Sequence, residues 1–114
     1  MTLAEIRKYC RKKKGNSEEL PFGPSVLVMK VEGKMYALVA WEENPLVLSL
    51  KCEPDRALAL REIYPAIRAA YHMNKKHWNM ISIDNSLNRN QLKELIDHSY
   101  ELVVKGLSKT QKKR

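Results

Sequence analysis

Long hydrophobic runs are absent from this sequence of 114 residues. The longest apolar stretches, Ser25–Val31 and Met35–Trp41, each span only seven residues and include polar positions. A transmembrane helix needs about 20 apolar residues, so we expect no membrane-spanning segment. Residues 1–5 also lack the basic and then apolar order of a secretory signal. We therefore expect a cytoplasmic protein.

Cysteine is scarce, and its two positions indicate no metal or redox site. Cys10 and Cys52 lie far apart in the sequence, and their spacing matches no zinc-ligand or dithiol motif. We expect both to be reduced, partly buried thiols, as is usual in a cytoplasmic protein.

Motifs of common enzyme classes are also missing. The sequence has no phosphate-binding loop, no nucleotide-binding glycine triplet and no Gly-x-Ser-x-Gly motif. His98 and Ser99 are neighbours on a predicted helix, where successive side chains point in different directions, so they cannot act together as base and nucleophile. Cys52 precedes a predicted helix whose dipole would lower its pKa, but burial at an apolar strand end is the favoured interpretation. The sequence predicts no enzyme activity and no cofactor.

The composition that remains is that of one folded domain. Hydrophobic residues make up 44% of the chain and charged residues 30%, a balance typical of soluble globular proteins. A chain of this length can form one core and is too short for two ordinary domains. We therefore predict a single domain over residues 1–114, with a basic C-terminal tail over about 109–114.

Positive charge is concentrated at the two ends of the chain. The net charge is +8, from 21 Lys and Arg against 13 Asp and Glu. Ten of the basic residues lie within residues 7–14 and 109–114, whereas residues 15–108 hold eleven basic and twelve acidic residues. Basic ends can neutralise phosphates, or they can serve solubility and complement helix dipoles. Charge alone leaves both interpretations open.

Caps, turns and apolar spacing predict three helices and five strands. Thr2 with Glu5 forms a capping box, and Asn88 with Gln91 can cap the last helix. Residues 15–24 are predicted to be a polar loop. The predicted elements are a helix over 2–13, strands over Ser25–Val31, Met35–Trp41 and Leu46–Lys51, a helix from Pro54 to Pro65, strands over Ile67–Tyr71 and Trp78–Ile83, and a helix from Asn88 to about Lys109.

Tight connections between these strands predict an antiparallel sheet. Glu32–Lys34 is a short hairpin turn containing glycine, and residues 72–77 form a longer basic tip between the last two strands. Phe22 is expected to plug the core, with the adjacent Gly and Pro residues fixing the entry into the first strand. We predict an α+β fold: one two-layer domain, an antiparallel sheet with helices packed against it, in the order α-β-β-β-α-β-β-α.

Several segments are similar to those of a known family. They are Tyr9-Cys10 at the end of the first helix, Glu19-Leu20-Pro21-Phe22-Gly23-Pro24, Lys30-Val31 with Gly33-Lys34-Met35-Tyr36-Ala37, Leu50-Lys51-Cys52, Tyr71-His72-Met73-Asn74-Lys75-Lys76-His77-Trp78, and Ser99-Tyr100-Glu101-Leu102-Val103. In these segments and their order, the chain resembles the MmcQ/YjbR family of small bacterial proteins over almost its whole length.

The resemblance implies a secretion-chaperone-like fold, comparable to the frataxin-like fold, with the same element order. It also implies DNA binding through two wing-like hairpins. The sequence departs from the family at Asn85, where Gly is common, although Asn tolerates the same turn geometry. It departs again at Asn88-Arg89-Asn90, which replaces a step containing Pro and an acid and adds positive charge near the basic loop.

The segment His72–Trp78 holds the densest candidate chemistry. Lys75 and Lys76 offer charge to phosphates, polar neighbours can bond to sugars or base edges, and Trp78 can stack on a base. Each residue also has a structural interpretation: Trp78 packs into the core or under the hairpin, Asn74 caps the turn and the lysines are simply solvated. The candidate nucleic-acid-binding set is His72, Asn74, Lys75, Lys76, His77, Trp78, Arg89, Lys12, Lys13 and Lys14.

A metal site is not predicted at this loop. His72 and His77 are five residues apart across a loop, and no Cys, Asp or Glu stands near them in the sequence to complete a ligand set.

Two functions are compatible with these features. The first is a DNA-binding module that uses the His72–Trp78 hairpin, with Glu32–Lys34 as a second wing and the basic ends as phosphate anchors. The second is a chaperone-like protein-interaction module whose sheet or helix face pairs with a partner. The nearly neutral body favours the second, and the basic loop and ends favour the first. We favour DNA binding by a non-catalytic protein, as a monomer rather than a homodimer.

Overall fold

Three helices pack against one face of a six-stranded antiparallel sheet in the computed structural model, which describes residues 1–107. The strands lie in the order β1-β2-β3-β4-β6-β5. The elements along the chain are α1 (Leu3–Arg11), β1 (Asn16–Glu19), β2 (Val26–Val31), β3 (Lys34–Ala40), β4 (Val47–Lys51), α2 (Pro54–Ile63), β5 (Ile67–Ala69), β6 (Trp78–Ser82) and α3 (Arg89–Lys105). The predicted α+β class is confirmed. The basic tail over 109–114 lies outside the described residues.

Strand β1 is the main departure from the predicted order. It occupies Asn16–Glu19 within residues 15–24, which were expected to be a loop, and it pairs antiparallel with β2 over its whole length. Its Asn-Ser-Glu-Glu sequence has low strand propensity. Long-range contacts compensate: Arg7 of α1 donates to both carboxylate oxygens of Glu18, at 3.2 and 2.9 Å. The order is therefore α-β-β-β-β-α-β-β-α.

Helix caps form as the sequence predicts. The Thr2 hydroxyl accepts from the Glu5 N–H at 3.2 Å, while the Glu5 carboxylate accepts from the Thr2 N–H at 3.0 Å. Asn88 and Gln91 make the same reciprocal pair at 2.8 Å. Each box satisfies backbone donors that have no partner within the helix. Of the helices in residues 1–107, none is long and apolar enough to cross a bilayer.

Residues with positive φ close two of the turns. Glu32 and Gly33, with φ of 48° and 76°, form the two-residue turn between β2 and β3, the geometry that matches the twist of a hairpin. Asn85 has a φ of 72°. Asn adopts this left-handed region more readily than most residues, and Asn85 takes the turn geometry that the sequence predicts for it.

The main core lies between the sheet and the helices. The strand registers place five apolar residues side by side across β2, β3, β4, β6 and β5: Leu27, Val39, Leu48, Ile81 and Ile67. The helices cover this row with buried side chains that include Ile6, Cys10, Leu92, Leu95, Ile96 and Val103. At this face Asn79 of β6 donates to the Ala57 carbonyl at 3.4 Å, which holds α2 beside the loop that precedes β6.

The opposite face of the sheet is apolar, and no helix of residues 1–107 covers it. Alternation from the core row places Val26, Leu38, Val47 and Met80 on this face. Phe22, expected to plug the core, is instead 62% exposed and lines a cleft on this side of the sheet with Val26 and Leu38. The prediction for Phe22 was wrong because its side chain lies on the face that the helices leave open, away from the main core.

Candidate nucleic-acid interface

The segment from Tyr71 to His77 is a closed loop whose shape depends on Asn74. The Asn74 side-chain oxygen accepts from the Lys76 N–H at 3.0 Å, and its carbonyl accepts from the N–H groups of His77 and Trp78. The predicted turn-capping role of Asn74 is therefore confirmed. The His77 carbonyl accepts from the Cys52 N–H at 2.7 Å, which ties the loop to the end of β4.

Arg61 of α2 pins the other side of the loop. Its guanidinium donates to the Lys75 carbonyl and, at 2.7 Å, to the side-chain oxygen of Asn79. Asn79 is buried, and its amide nitrogen donates to the Ala57 carbonyl at 3.4 Å. The loop is thus held by groups of α2, β4 and β6, so its surface residues are presented from a fixed backbone.

The exposed aromatic residue of this loop is Tyr71 rather than Trp78. Tyr71 is 75% exposed, whereas Trp78 is 9% exposed and lies on the open face of the sheet beneath the loop. Lys75 and Lys76 are exposed, and neither forms an ion pair within residues 1–107. The sequence placed Tyr71 in a family-like segment but gave it no role, because exposure of an aromatic at a strand end cannot be read from local pattern.

A cleft of about 600 Å³ lies between α2 and this loop. Tyr71 and Leu58 contribute apolar surface to it, and Lys75 and Lys76 contribute positive charge. The remaining lining residues are Pro54, Asp55, Arg61, Ala69 and Asn74. The cleft combines an exposed aromatic ring with ammonium groups, which is the pairing that nucleic-acid contact uses.

The strand registers bring further lysines to the same end of the sheet. β1 begins two residues after Lys14, opposite the last residue of β2, and Lys34 opens β3 beyond the hairpin turn. Lys51 ends β4 opposite Trp78, which directly follows the loop. The two candidate wings therefore lie at one end of the sheet. Four strand spacings separate β1 from β6, about 19 Å.

Two of the predicted basic residues are neutralised within the protein. Lys13 binds Asp97 at 2.5 Å, and its ammonium lies 5.1 and 5.0 Å from the ring centres of Tyr9 and Tyr100. Arg89 binds Glu5 of α1 at 2.5 Å. Lys12 and Lys14 are exposed and form no ion pair within the described chain. The loop and Lys14 thus lie at one end of the sheet. Lys13, which follows α1, and Arg89 of α3 instead form ion pairs that connect α1 with α3.

His72 belongs to a different surface. It lies over the open face of the sheet and lines two adjoining clefts of about 540 and 410 Å³ together with Met73. Asn74 and Trp78 line the larger of these clefts. The candidate loop therefore divides: His72 and Trp78 face the apolar side of the sheet, while Lys75 and Lys76 face α2.

The groups with the greatest catalytic potential are held in structural bonds. Ser99 is fully buried and donates to the Tyr36 carbonyl. His98 accepts from the Glu53 N–H at 3.2 Å. Cys10 and Cys52 are both buried, as the sequence predicts for Cys52. Burial raises the pKa of both thiols.

Residues 1–107 contain no group of three or more His, Cys, Asp or Glu side chains placed to hold a metal ion.

Sequence comparison identifies the family of this chain. The YjbR family model matches residues 11–102. This chain belongs to the YjbR family. Its relatives include the uncharacterized protein YbdF of Escherichia coli O157:H7, which is 39% identical over 94 residues, covering 82% of this chain and 77% of the relative. The uncharacterized protein YjbR of E. coli K12 is 34% identical over 113 residues, covering 99% of this chain and 96% of the relative.

Solved structures show the same fold. A crystal structure of a Deinococcus radiodurans protein with a DUF419 domain matches with a TM-score of 0.93 and 38% identity, covering 98% of this chain and 86% of that chain. A crystal structure of a Pseudomonas syringae protein matches with a TM-score of 0.77 and 28% identity, covering 90% of this chain and 98% of that chain. The family and the fold predicted from the sequence are both confirmed.

Proposed function

We propose that this YjbR-family protein binds DNA through the loop Tyr71–His77. The observation that carries the proposal is the exposure of Tyr71, Lys75 and Lys76 together on a loop whose backbone is pinned by Arg61. Phosphates need accessible cations, and bases need an accessible ring or hydrogen-bonding group. The loop offers both on one fixed surface.

Lys14, Lys34 and Lys51 at the same end of the sheet extend this surface, and Lys12 precedes Lys14 by two residues. Together with the loop they make six lysines that have no ion pair within residues 1–107: Lys12, Lys14, Lys34, Lys51, Lys75 and Lys76. If all six neutralise phosphates of duplex DNA, the logarithm of the binding constant falls with the logarithm of salt concentration with a slope of about −5.

The proposal includes no catalytic step, no cofactor and no homodimer. His98, Ser99 and the two thiols are engaged or buried, so none of them presents a free nucleophile beside the loop. Binding by a monomer accounts for the surface described, since the loop and the lysine row belong to one chain.

The test is fluorescence anisotropy of labelled DNA, in duplex and single-stranded forms, as a function of salt. The test variant is Lys75→Ala/Lys76→Ala. The matched control is Lys8→Ala/Lys105→Ala, which removes the same charge from exposed positions on the helical side of the molecule. Thermal unfolding of each variant checks that the fold is retained.

We expect the loop variant to lose most of the affinity and to reduce the salt slope by about 2 in magnitude. The control should bind nearly as the unmodified protein does. Equal losses for both variants would show that only net charge matters and would overturn the proposal. So would an absence of binding at about 50 mM salt, where phosphate contacts are strong. Either result would favour the protein-interaction module, for which the apolar open face of the sheet is the candidate surface.

A further inference from the structure

The side chain of Tyr71 is unusually exposed for an aromatic residue, and no contact within the described part of the fold accounts for this exposure. At 75%, it has the largest exposed fraction of the large hydrophobic side chains in residues 1–107. Trp41 is 41% exposed and donates its indole N–H to the Pro24 carbonyl at 3.0 Å. Tyr71 makes no hydrogen bond within the described chain, so no intramolecular contact of its hydroxyl explains its place on the loop.

The surroundings of Tyr71 match the base and the phosphate of a nucleotide. Its ring and Leu58 provide apolar surface within the 600 Å³ cleft, which is in the range of small-molecule sites. Lys75 and Lys76 line the same cleft and can meet a phosphate. Asp55, at the start of α2, also lines it and repels phosphate, so the charges orient the phosphate toward the lysines.

The cleft is formed before any ligand arrives. Arg61 and the Asn74 turn hold the backbone that carries Lys75 and Lys76. A site with a fixed backbone avoids the entropy cost of ordering a loop on binding. Because the Tyr71 side chain is 75% exposed, its ring is available as a surface on which a base can stack.

A base can stack on Tyr71 only if the base is not already stacked within a duplex. We propose that the preferred ligand is single-stranded nucleic acid, with one unpaired base stacked on Tyr71 and the adjoining phosphates bound by Lys75 and Lys76. This inference rests on the proposed function and specifies the form of nucleic acid that the loop selects.

The experiment compares a labelled single strand of about 12 nucleotides, within the usual range of single-strand site sizes, with a duplex of the same length. The variants are Tyr71→Ala, which removes the ring, and Tyr71→Phe, which keeps it. Loss of one stacked base corresponds to a loss of about 5- to 140-fold in affinity. We expect Tyr71→Ala to show this loss on the single strand and less than about twofold on the duplex. Tyr71→Phe should bind nearly as the unmodified protein does.

The outcomes separate this inference from the function on which it rests. If Tyr71→Ala binds the single strand normally while Lys75→Ala/Lys76→Ala does not, stacking is refuted and nucleic-acid binding by the loop stands. If Tyr71→Ala weakens both forms equally, selection of the single strand is refuted. If the unmodified protein binds neither form, both proposals fail. Because Tyr71 is exposed, its replacement should leave the thermal midpoint unchanged, which a parallel unfolding measurement checks.

Discussion

The hydroxyl of Ser99 accepts a hydrogen bond from the backbone N–H of Lys51 at 2.9 Å. The same hydroxyl donates to the Tyr36 carbonyl. One fully buried side chain of α3 therefore satisfies backbone groups of two neighbouring strands, β3 and β4. It fixes the helix against the strand end from which α2 and the candidate loop are positioned.

Replacement of Ser99 should therefore destabilise the protein. Ser99→Ala leaves a buried carbonyl and a partly buried N–H without their partner, and we expect a loss of about 1–3 kcal/mol in the free energy of unfolding. Urea denaturation measures it. Ser17→Ala is the matched control, because Ser17 is exposed and a surface change of this kind costs less than about 0.5 kcal/mol. Equal effects of the two changes would contradict this role for Ser99.

Phe22 gives a test of which face of the sheet holds the main core. Phe22→Ala should cost less than about 1 kcal/mol, because the side chain is 62% exposed. Met29, which is fully buried among the helices and sheet, provides the comparison: Met29→Ala should cost about 2–5 kcal/mol. Chemical denaturation of both variants measures the two losses in unfolding free energy. A larger loss for Phe22→Ala than for Met29→Ala would show that Phe22 belongs to the core.

Alkaline solution should weaken the contact between α1 and α3. The Tyr9 hydroxyl donates to Asp97 at 2.6 Å, and burial, followed by this bond to the carboxylate, raises the pKa of Tyr9 to about 12. The folded state thus holds this proton more tightly than the unfolded state does. The contribution is complete below about pH 10, the pKa of a free tyrosine, and is lost as the pH rises through the folded-state pKa.

Tyr9→Phe tests this dependence, because phenylalanine has no proton to lose. Between about pH 9.5 and 11, we expect the free energy of unfolding of the variant to fall less steeply than that of the unmodified protein. The difference between the two slopes should be under about 1.4 kcal/mol per pH unit, the limit for one titrating group. Tyr71→Phe, at an exposed position, is the control. Parallel stability curves for the unmodified protein and Tyr9→Phe would show that the Tyr9 hydroxyl contributes nothing.

Mild acid should act on His98. Its Nε2 accepts from the Glu53 N–H at 3.2 Å, which requires the neutral ring. Burial lowers the pKa of His98 below 6.5, Arg56 lowers it further, and Glu94, Glu101 and Glu53 oppose them. The folded state therefore binds this proton less tightly than the unfolded state. The resulting stability is present above about pH 6.5 and is lost as the pH falls through the folded-state pKa.

The imidazole signals in an NMR titration measure this pKa directly, and His98→Gln identifies which signals belong to His98. We expect the variant to lose less stability than the unmodified protein between about pH 7 and 5, because glutamine does not titrate there. A His98 pKa at or above 6.5 would contradict the prediction.

The elements that the sequence predicts well are those with strong local signals. The apolar face of α3 and both capping boxes follow from spacing and residue type, and Asn85 takes the left-handed turn expected of it. β1 could not be predicted, because its polar sequence becomes a strand only through pairing with β2 and through Arg7 and Arg11, which bind Glu18.

The sequence predicts the exposure of the lysines in the candidate loop but not the arrangement of the residues around them. Lysines at a loop tip are visible in the sequence, and they are exposed in the structure. The pairing of Lys13 with Asp97 spans 84 positions, and no local pattern reveals it. Likewise, the burial of Trp78 and the exposure of Tyr71 depend on which face of the sheet the loop covers, and that is decided by tertiary packing.

The two lateral edges of the sheet are both unfavourable for growth by strand addition. β5, at one edge, has only three residues and carries Arg68. β1, at the other, is polar and carries two glutamates with arginines of α1 beside it. Short edges and charged edge residues discourage pairing with a second sheet. The charges that recruit β1 into the fold therefore also protect the protein against aggregation through its edge strands.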